Sequence, residues 1–70
     1  MTLKKAKQTT KIWEHKMQFH PGCSVIFVEY DSMEFKTQFN SVEDAKNALK
    51  ETHSLEEFEN VLLEHAYSAN

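Results

Sequence analysis

The sequence predicts an α+β fold, a three-stranded antiparallel β-meander followed by two C-terminal α-helices packed on one face of the sheet. Apolar and polar residues alternate along much of residues 11 to 39, which is typical of strands with one buried face. Two short breaks divide this stretch, Pro21-Gly22, which suits a type II turn, and Asp31-Ser32. Two serine-led segments with helical spacing follow, so the predicted order of elements is β-β-β-α-α.

The first strand is expected to begin at Lys11 and to bury its larger side chains. One face of this strand would carry Trp13, His15, Met17 and Phe19. If both hairpin loops have two residues, Trp13 lies beside Tyr30 and His15 lies beside Val28.

The second and third strands contain many β-branched and aromatic residues. The second strand spans residues 24 to 30, and its hairpin with the third strand pairs Val28 with Phe35. In this register the face opposite the helices would carry two cross-strand rows, one with Glu14, Glu29 and Glu34 and one with Lys16, Phe27 and Lys36. We expect an exposed Phe27, with Val25 nearby, at the centre of this face.

Each predicted helix begins at a serine that can cap its first turn. Ser41 precedes Asp44 by three residues and Ser54 precedes Glu57 by three residues, which is the spacing of a capping box. Behind these caps, apolar residues recur at helical spacing and predict the helix faces that pack on the sheet. They are Val42, Ala45, Ala48 and Leu49 in the first helix, and Leu55, Phe58, Val61, Leu62 and Ala66 in the second.

A chain of 70 residues, with 40% hydrophobic and 27% charged residues, has room for one small core. We expect a single α+β domain over residues 11 to 70, preceded by a flexible basic arm over residues 1 to 10. The longest apolar run, Val25 to Val28, is far shorter than the roughly 20 residues that cross a bilayer. One cysteine and the lack of a signal-like start predict a cytoplasmic protein with no membrane partner.

The net charge of -3 conceals two regions of opposite sign. Residues 1 to 16 carry five lysines and one glutamate, whereas residues 17 to 70 carry three lysines and ten acidic residues. The chain has no arginine, the residue best suited to bidentate contacts with phosphates and base edges. A basic start on an acidic body therefore favours a basic partner over sequence-specific reading of nucleic acid.

No group of residues has the spacing that catalysis or a metal site requires. His20 and Cys23 flank the first turn, but they supply two ligands where structural zinc needs four, and we interpret them as turn residues. The predicted row of Glu14, Glu29 and Glu34 lacks a pocket, so we interpret it as a solvated or partner-binding surface rather than an acid–base pair. We expect no enzyme activity and no cofactor.

The layout of the chain resembles that of one group of DNA-binding proteins. After the third strand come Phe39, Ser41, Glu43 and Ala45, at the start of a helix. Three strands followed by such a helix are similar to the small sheet-plus-helix modules that read DNA with the sheet. The resemblance implies a sheet that contacts DNA, and it carries no residue role over to this chain.

Together these observations predict a small non-catalytic protein that binds and regulates or inhibits a macromolecular partner, which we expect to be a basic protein. Its carboxylates could imitate the phosphate spacing of DNA, as in small acidic viral inhibitors of host enzymes, and the chain could also form a homodimer. The expected partner-binding residues are Glu14, Val25, Phe27, Glu29, Glu34, Glu56, Glu57, Glu59 and Glu64. The alternative is a nucleic-acid-binding module that uses Lys4, Lys5, Lys7, Lys11, Lys16 and Lys36.

Overall fold

Six elements follow one another in the computed structural model, which describes residues 1–16, 18–19, 22 and 24–67. They are α1 (Leu3–Thr9), β1 (Lys11–Lys16), β2 (Ser24–Tyr30), β3 (Met33–Thr37), α2 (Val42–Lys50) and α3 (Leu55–His65). The three strands form one antiparallel sheet in the order β1-β2-β3. The predicted α+β class, with three strands of one sheet followed by helices, is confirmed, and one helix that was not predicted precedes the sheet.

The hairpin between β2 and β3 has the predicted register, because Val28 lies opposite Phe35. Its two loop residues, Asp31 and Ser32, have φ values of 51° and 64°. Positive φ at both positions of a two-residue loop is characteristic of a type I′ turn, whose twist matches that of the strands it joins.

The predicted register of β1 is wrong. Trp13 lies opposite Phe27 rather than Tyr30, and His15 lies opposite Val25. The connection between β1 and β2 is longer than the two residues that the prediction assumes. The resulting shift is odd, and an odd shift turns every side chain of a strand to the other face of the sheet.

This shift also breaks up the predicted acidic row. Glu14 lies opposite Ile26 and is not a neighbour of Glu29. Glu29 lies between Lys11 on β1 and Glu34 on β3. The row therefore contains two carboxylates and one ammonium group instead of three carboxylates.

Helices α2 and α3 begin where the capping pattern predicts. The Ser41 hydroxyl accepts a hydrogen bond from the Asp44 N–H (3.1 Å), and the Ser54 hydroxyl accepts one from the Glu57 N–H (3.0 Å). The Glu57 carboxylate in turn accepts the N–H of His53 (3.2 Å). These bonds satisfy donors that the start of a helix otherwise leaves unpaired.

One cluster of buried side chains joins the strands to the helices. Within it the ring of Tyr30 lies 5.0 Å from the ring of Phe58. Two buried hydroxyls, those of Thr37 and Thr52, donate to backbone carbonyls at 2.7 Å and 2.6 Å. The buried members of the cluster are Ala6, Ile26, Val28, Tyr30, Ala45, Leu49, Phe58 and Leu62.

Helix α1 occupies the segment for which we expected a flexible arm. Ala6 is fully buried in the core cluster. The Lys7 ammonium group donates to the carbonyls of Lys50 (2.8 Å) and Thr52 (2.7 Å), at the end of α2 and just beyond it. A cation is favourable there because the last carbonyls of a helix carry partial negative charge. Since a helix of seven residues is too short to be stable alone, we attribute its stability to this docking.

Candidate interaction surface

Side chains of a strand alternate between the two faces of its sheet, and in β2 only one set belongs to the core cluster. Ile26, Val28 and Tyr30 are members of the cluster, whereas Phe27 is not a member and is half-buried. We call the Phe27 side of the sheet the outer face. Its members are Lys11, Trp13, His15, Val25, Phe27, Glu29, Glu34 and Lys36.

Trp13 and Phe27 stack against each other on the outer face. Their ring centroids are 5.7 Å apart, and their planes make an angle of 18°. His15 approaches Phe27 edge-on, with centroids 6.2 Å apart, and its strand partner Val25 is only 7% exposed. Trp13, which the sequence predicts to be buried, keeps 36% of its surface exposed. The outer face therefore has an apolar centre that is separate from the core cluster.

The chain that follows α3 extends this face beyond β3. The Tyr67 N–H donates to the Lys36 carbonyl (2.9 Å), and the Gln38 N–H donates to the His65 carbonyl (2.7 Å). The Lys36 ammonium group lies 5.1 Å from the centre of the Tyr67 ring, which is a cation–π distance. One row thus crosses the whole sheet, and we call it the cross-strand row: Trp13, Phe27, Lys36 and Tyr67.

Sequence reasoning misses two members of this row. The wrong register of β1 puts Trp13 on the buried face. Tyr67 lies off the apolar stripe of the last predicted helix, which is a signal that it is not a core residue. Its position beside β3 depends on the chain turning back after His65, and no local pattern in the sequence shows that turn.

Charged side chains lie beside the cross-strand row. Lys11, Glu29 and Glu34 are neighbours across the three strands. The two carboxylates are direct cross-strand partners, and like charges in opposed positions destabilise a sheet. This pair is what remains of the predicted acidic row, because Glu14 is on the other face.

Two of the four acidic residues that we singled out on α3 are engaged within the chain. Glu57 caps the start of its own helix, and Glu59 accepts a hydrogen bond from the Tyr30 hydroxyl (3.2 Å). Burial raises the pKa of Tyr30 above its usual value of 10.0, and the Glu59 carboxylate beside it raises that pKa further. Glu56 and Glu64 are exposed. Helix α3 therefore does not present four unengaged carboxylates.

The lysines of the nucleic-acid alternative are divided among several surfaces. Lys11 and Lys36 belong to the outer face, but Lys16 lies on the opposite face of β1. Lys7 is bonded to the end of α2. The remaining two are exposed on α1, namely Lys4 and Lys5.

The part of the chain that the structure describes contains no group of three acidic, histidine or cysteine side chains that could hold a metal ion. In the same residues, no helix is long and apolar enough to cross a membrane. The candidate turn residues His20, Pro21 and Cys23 lie outside the described residues. Gly22 has a φ of 90°, in the left-handed region that favours glycine.

Comparison with known proteins assigns no family to this chain. No family model matches it. No curated protein matches its sequence, and no solved structure matches its fold. The fold and the outer face define its class, a small α+β chain with a partly exposed aromatic row on its sheet.

Proposed function

We propose that this protein is a non-catalytic interaction protein that binds and regulates another protein through the outer face of its sheet. The proposal includes the packing of all the helices on the face of Ile26, Val28 and Tyr30, so that no helix covers the outer face. The observation that carries it is the stacked pair of Trp13 and Phe27, in which Trp13 is still 36% exposed.

The cross-strand row has the composition of the centre of a protein interface. Tryptophan, tyrosine and phenylalanine are enriched in interface centres and supply much of the binding energy. Trp13 is 36% exposed and Tyr67 is 49% exposed, so both rings would lose accessible surface against a partner. Because Trp13 is already stacked on Phe27, binding would require little further ordering of its side chain.

The charges beside the row favour a basic partner. Glu29 and Glu34 oppose each other in the sheet, and Lys11 adjoins only Glu29. A lysine or arginine of the partner, placed between the two carboxylates, would relieve their repulsion and form charge-assisted hydrogen bonds. The proposal thus keeps the predicted basic partner and moves its main contacts from α3 to the sheet.

Binding to single-stranded nucleic acid is a second candidate function. Exposed aromatic rings on a sheet can stack on bases, and Lys11 and Lys36 on the same face could contact phosphates. Glu29 and Glu34 would repel those phosphates. A protein partner therefore fits the outer face better than a nucleic acid does.

Trp13 is the only tryptophan of the chain, which makes the proposed site directly observable by fluorescence. Affinity capture with the wild-type chain, followed by identification of the bound proteins, supplies candidate partners. Titration with a purified candidate should then shift the emission of Trp13. The affinity should also fall with added salt, because the Debye length shrinks from about 10 Å at 0.1 M to about 3 Å at 1 M.

Two variants of the cross-strand row and one matched control test the site. Phe27→Lys and Trp13→Ala should each weaken binding by at least about 30-fold, as loss of a hot-spot residue does. The control is Leu63→Lys, because Leu63 is 64% exposed on α3 and should leave the affinity within about 2-fold. Calorimetry measures the affinities, and circular dichroism checks that each variant is folded. Wild-type affinity in both row variants would contradict the proposal.

Two further measurements test whether a nucleic acid or a second copy of this chain binds the outer face instead. Quenching of Trp13 by a thymidine oligonucleotide, if both added salt and Lys36→Gln reduce it, would replace the protein partner with nucleic acid. Sedimentation over a range of concentrations detects a homodimer. A dimer that Phe27→Lys dissociates would make a second copy of this chain the partner.

A further inference from the structure

A cleft of about 290 Å³ opens between four elements that are far apart in the sequence. Its lining residues come from α1 and the residue that follows it, from β1, and from α2 and α3. Its lining includes Lys7, Ile12, Lys46, Leu49, Lys50 and Phe58. None of these residues belongs to the outer face, so the cleft is a separate feature of the molecule.

The floor of the cleft is apolar. Leu49 is 4% exposed and Phe58 is fully buried, and both are members of the core cluster. Ile12 packs against that cluster and is partly buried. Water over such a floor finds no hydrogen-bond partners in these side chains, so an apolar group that displaced it would be stabilised.

Three lysines also line the cleft. Lys46 and Lys50 are one turn apart on α2, so their side chains lie on the same side of the helix. The Lys7 ammonium group donates two of its three N–H groups, to the carbonyls of Lys50 and Thr52. The cleft thus concentrates positive charge in a chain whose net charge is -3.

We propose that this cleft binds a small amphipathic anion, a carboxylate or phosphate group attached to a short acyl chain or an aromatic ring. The apolar part would lie against Ile12 and Leu49, and Lys46 and Lys50 would contact the anionic group. A water molecule in the liquid occupies about 30 Å³, so the cleft corresponds to a ligand of about ten heavy atoms. The proposal does not depend on a partner at the outer face.

Octanoate has about the size that the volume requires and serves as the first probe. In a titration followed by amide NMR, it should give saturable shifts at Ile12, Leu49 and Lys50 and leave Trp13 and Phe27 unchanged. The affinities of octyl phosphate and octanoate are then compared, and the tighter binder shows whether the cleft prefers a phosphate or a carboxylate group. Two controls each lack one half of the ligand, since 1-octanol has the chain without the charge and acetate has the charge without the chain.

A pair of charge-matched double variants tests the lysines of the rim. Lys46→Gln with Lys50→Gln should weaken octanoate binding by about 3- to 10-fold, the loss expected for two partly solvated ion pairs. Lys4→Gln with Lys5→Gln removes the same charge from the exposed surface of α1 and should leave the affinity unchanged. Lys7 is left intact in both because it holds α1 to α2.

Three results would each overturn the proposal. One is the absence of saturable shifts with either anion at concentrations up to about 10 mM, because a dissociation constant above that value is too weak for specific binding of this kind. Another is 1-octanol binding as tightly as octanoate, which would mean that the lysines play no part. The third is an equal loss of affinity in the two double variants, which would reflect net charge rather than this cleft.

Discussion

Tyr30 connects the sheet to α3 through both parts of its side chain. Its ring packs 5.0 Å from that of Phe58, and its hydroxyl donates to the Glu59 carboxylate at 3.2 Å. The hydroxyl is thus buried next to a negative charge, where ionisation of the phenol is unfavourable. The raised pKa of Tyr30 follows from that position.

Tyr30→Phe is predicted to change the pH dependence of stability at alkaline pH. At neutral pH the loss of one hydrogen bond should lower the free energy of unfolding by about 1 kcal/mol. Above about pH 10 the unfolded chain ionises Tyr30 while the folded chain keeps it neutral, so wild-type stability should fall with rising pH. Urea unfolding at several pH values should show the difference between wild type and variant shrinking above pH 10.

The matched control for this prediction is Tyr67→Phe, because the Tyr67 ring is 49% exposed and outside the core cluster. That variant should unfold in parallel with the wild type as the pH rises. An identical alkaline loss of stability in the wild type and Tyr30→Phe would show that the Tyr30 hydroxyl is not held as described.

At the scale of elements, the β2–β3 turn carries avoidable strain. Asp31 and Ser32 both have positive φ, and only glycine adopts that conformation without a penalty from its side chain. Ser32→Gly gives the Asp-Gly pair that type I′ turns favour, and should raise the free energy of unfolding by about 0.5–1 kcal/mol. Ser24→Gly, in the strand β2, should lower it by a similar amount, and urea unfolding measures both.

The bonds of Lys7 to the end of α2 are expected to stabilise helix α1, and Lys7→Gln tests this expectation. The variant loses a charged donor to the carbonyls of Lys50 and Thr52, which should lower the free energy of unfolding by about 1 kcal/mol. Hydrogen exchange should accelerate at the amide of Ala6, whereas Lys4→Gln should leave it unchanged. Equal exchange in the two variants would mean that α1 docks without this contact.

Local sequence signals predict where the helices and strands lie in this chain better than they predict how these elements pack together. The serine caps and apolar spacing locate α2 and α3, because each depends on residues within one turn. The register of β1 depends on the length of the loop that follows it. Strand β1 also has an apolar side chain on each face, Ile12 on one and Trp13 on the other, so alternation alone does not fix which face is buried. Helix α1 escapes prediction because its stability comes from contacts with α2, α3 and the core cluster, which lie far away in the sequence.

At the scale of the whole molecule, the surface that is free to bind differs from the one that composition indicates. Ten acidic residues after residue 16 predict an acidic surface, but Glu57 and Glu59 already bond within the chain. The acidic composition therefore overstates the number of carboxylates that are available to a partner.

Two variants that replace glutamates with glutamines show whether the sheet or α3 contributes more to the affinity for the partner. The double variant Glu29→Gln, Glu34→Gln should weaken binding to the partner by at least about 10-fold and make the sheet slightly more stable. The second variant replaces Glu56, Glu57, Glu59 and Glu64 on α3 with glutamine, which keeps an acceptor oxygen for the cap and for Tyr30. This quadruple variant changes the net charge from -3 to +1 but should weaken binding by less than about 3-fold near 0.15 M salt. Calorimetry measures both, and the opposite ranking would place the site on α3.

The bond from Lys7 to the end of α2 also orders events during synthesis on the ribosome. The carbonyls that Lys7 needs lie 43 and 45 residues later in the chain, so α1 is translated long before its docking site exists. Until residue 52 has emerged, Lys7 lacks one or both of its carbonyl acceptors, and a seven-residue helix is too short to be stable alone. Helix α1 can therefore dock onto the end of α2 only after the ribosome has synthesised the whole sheet and α2.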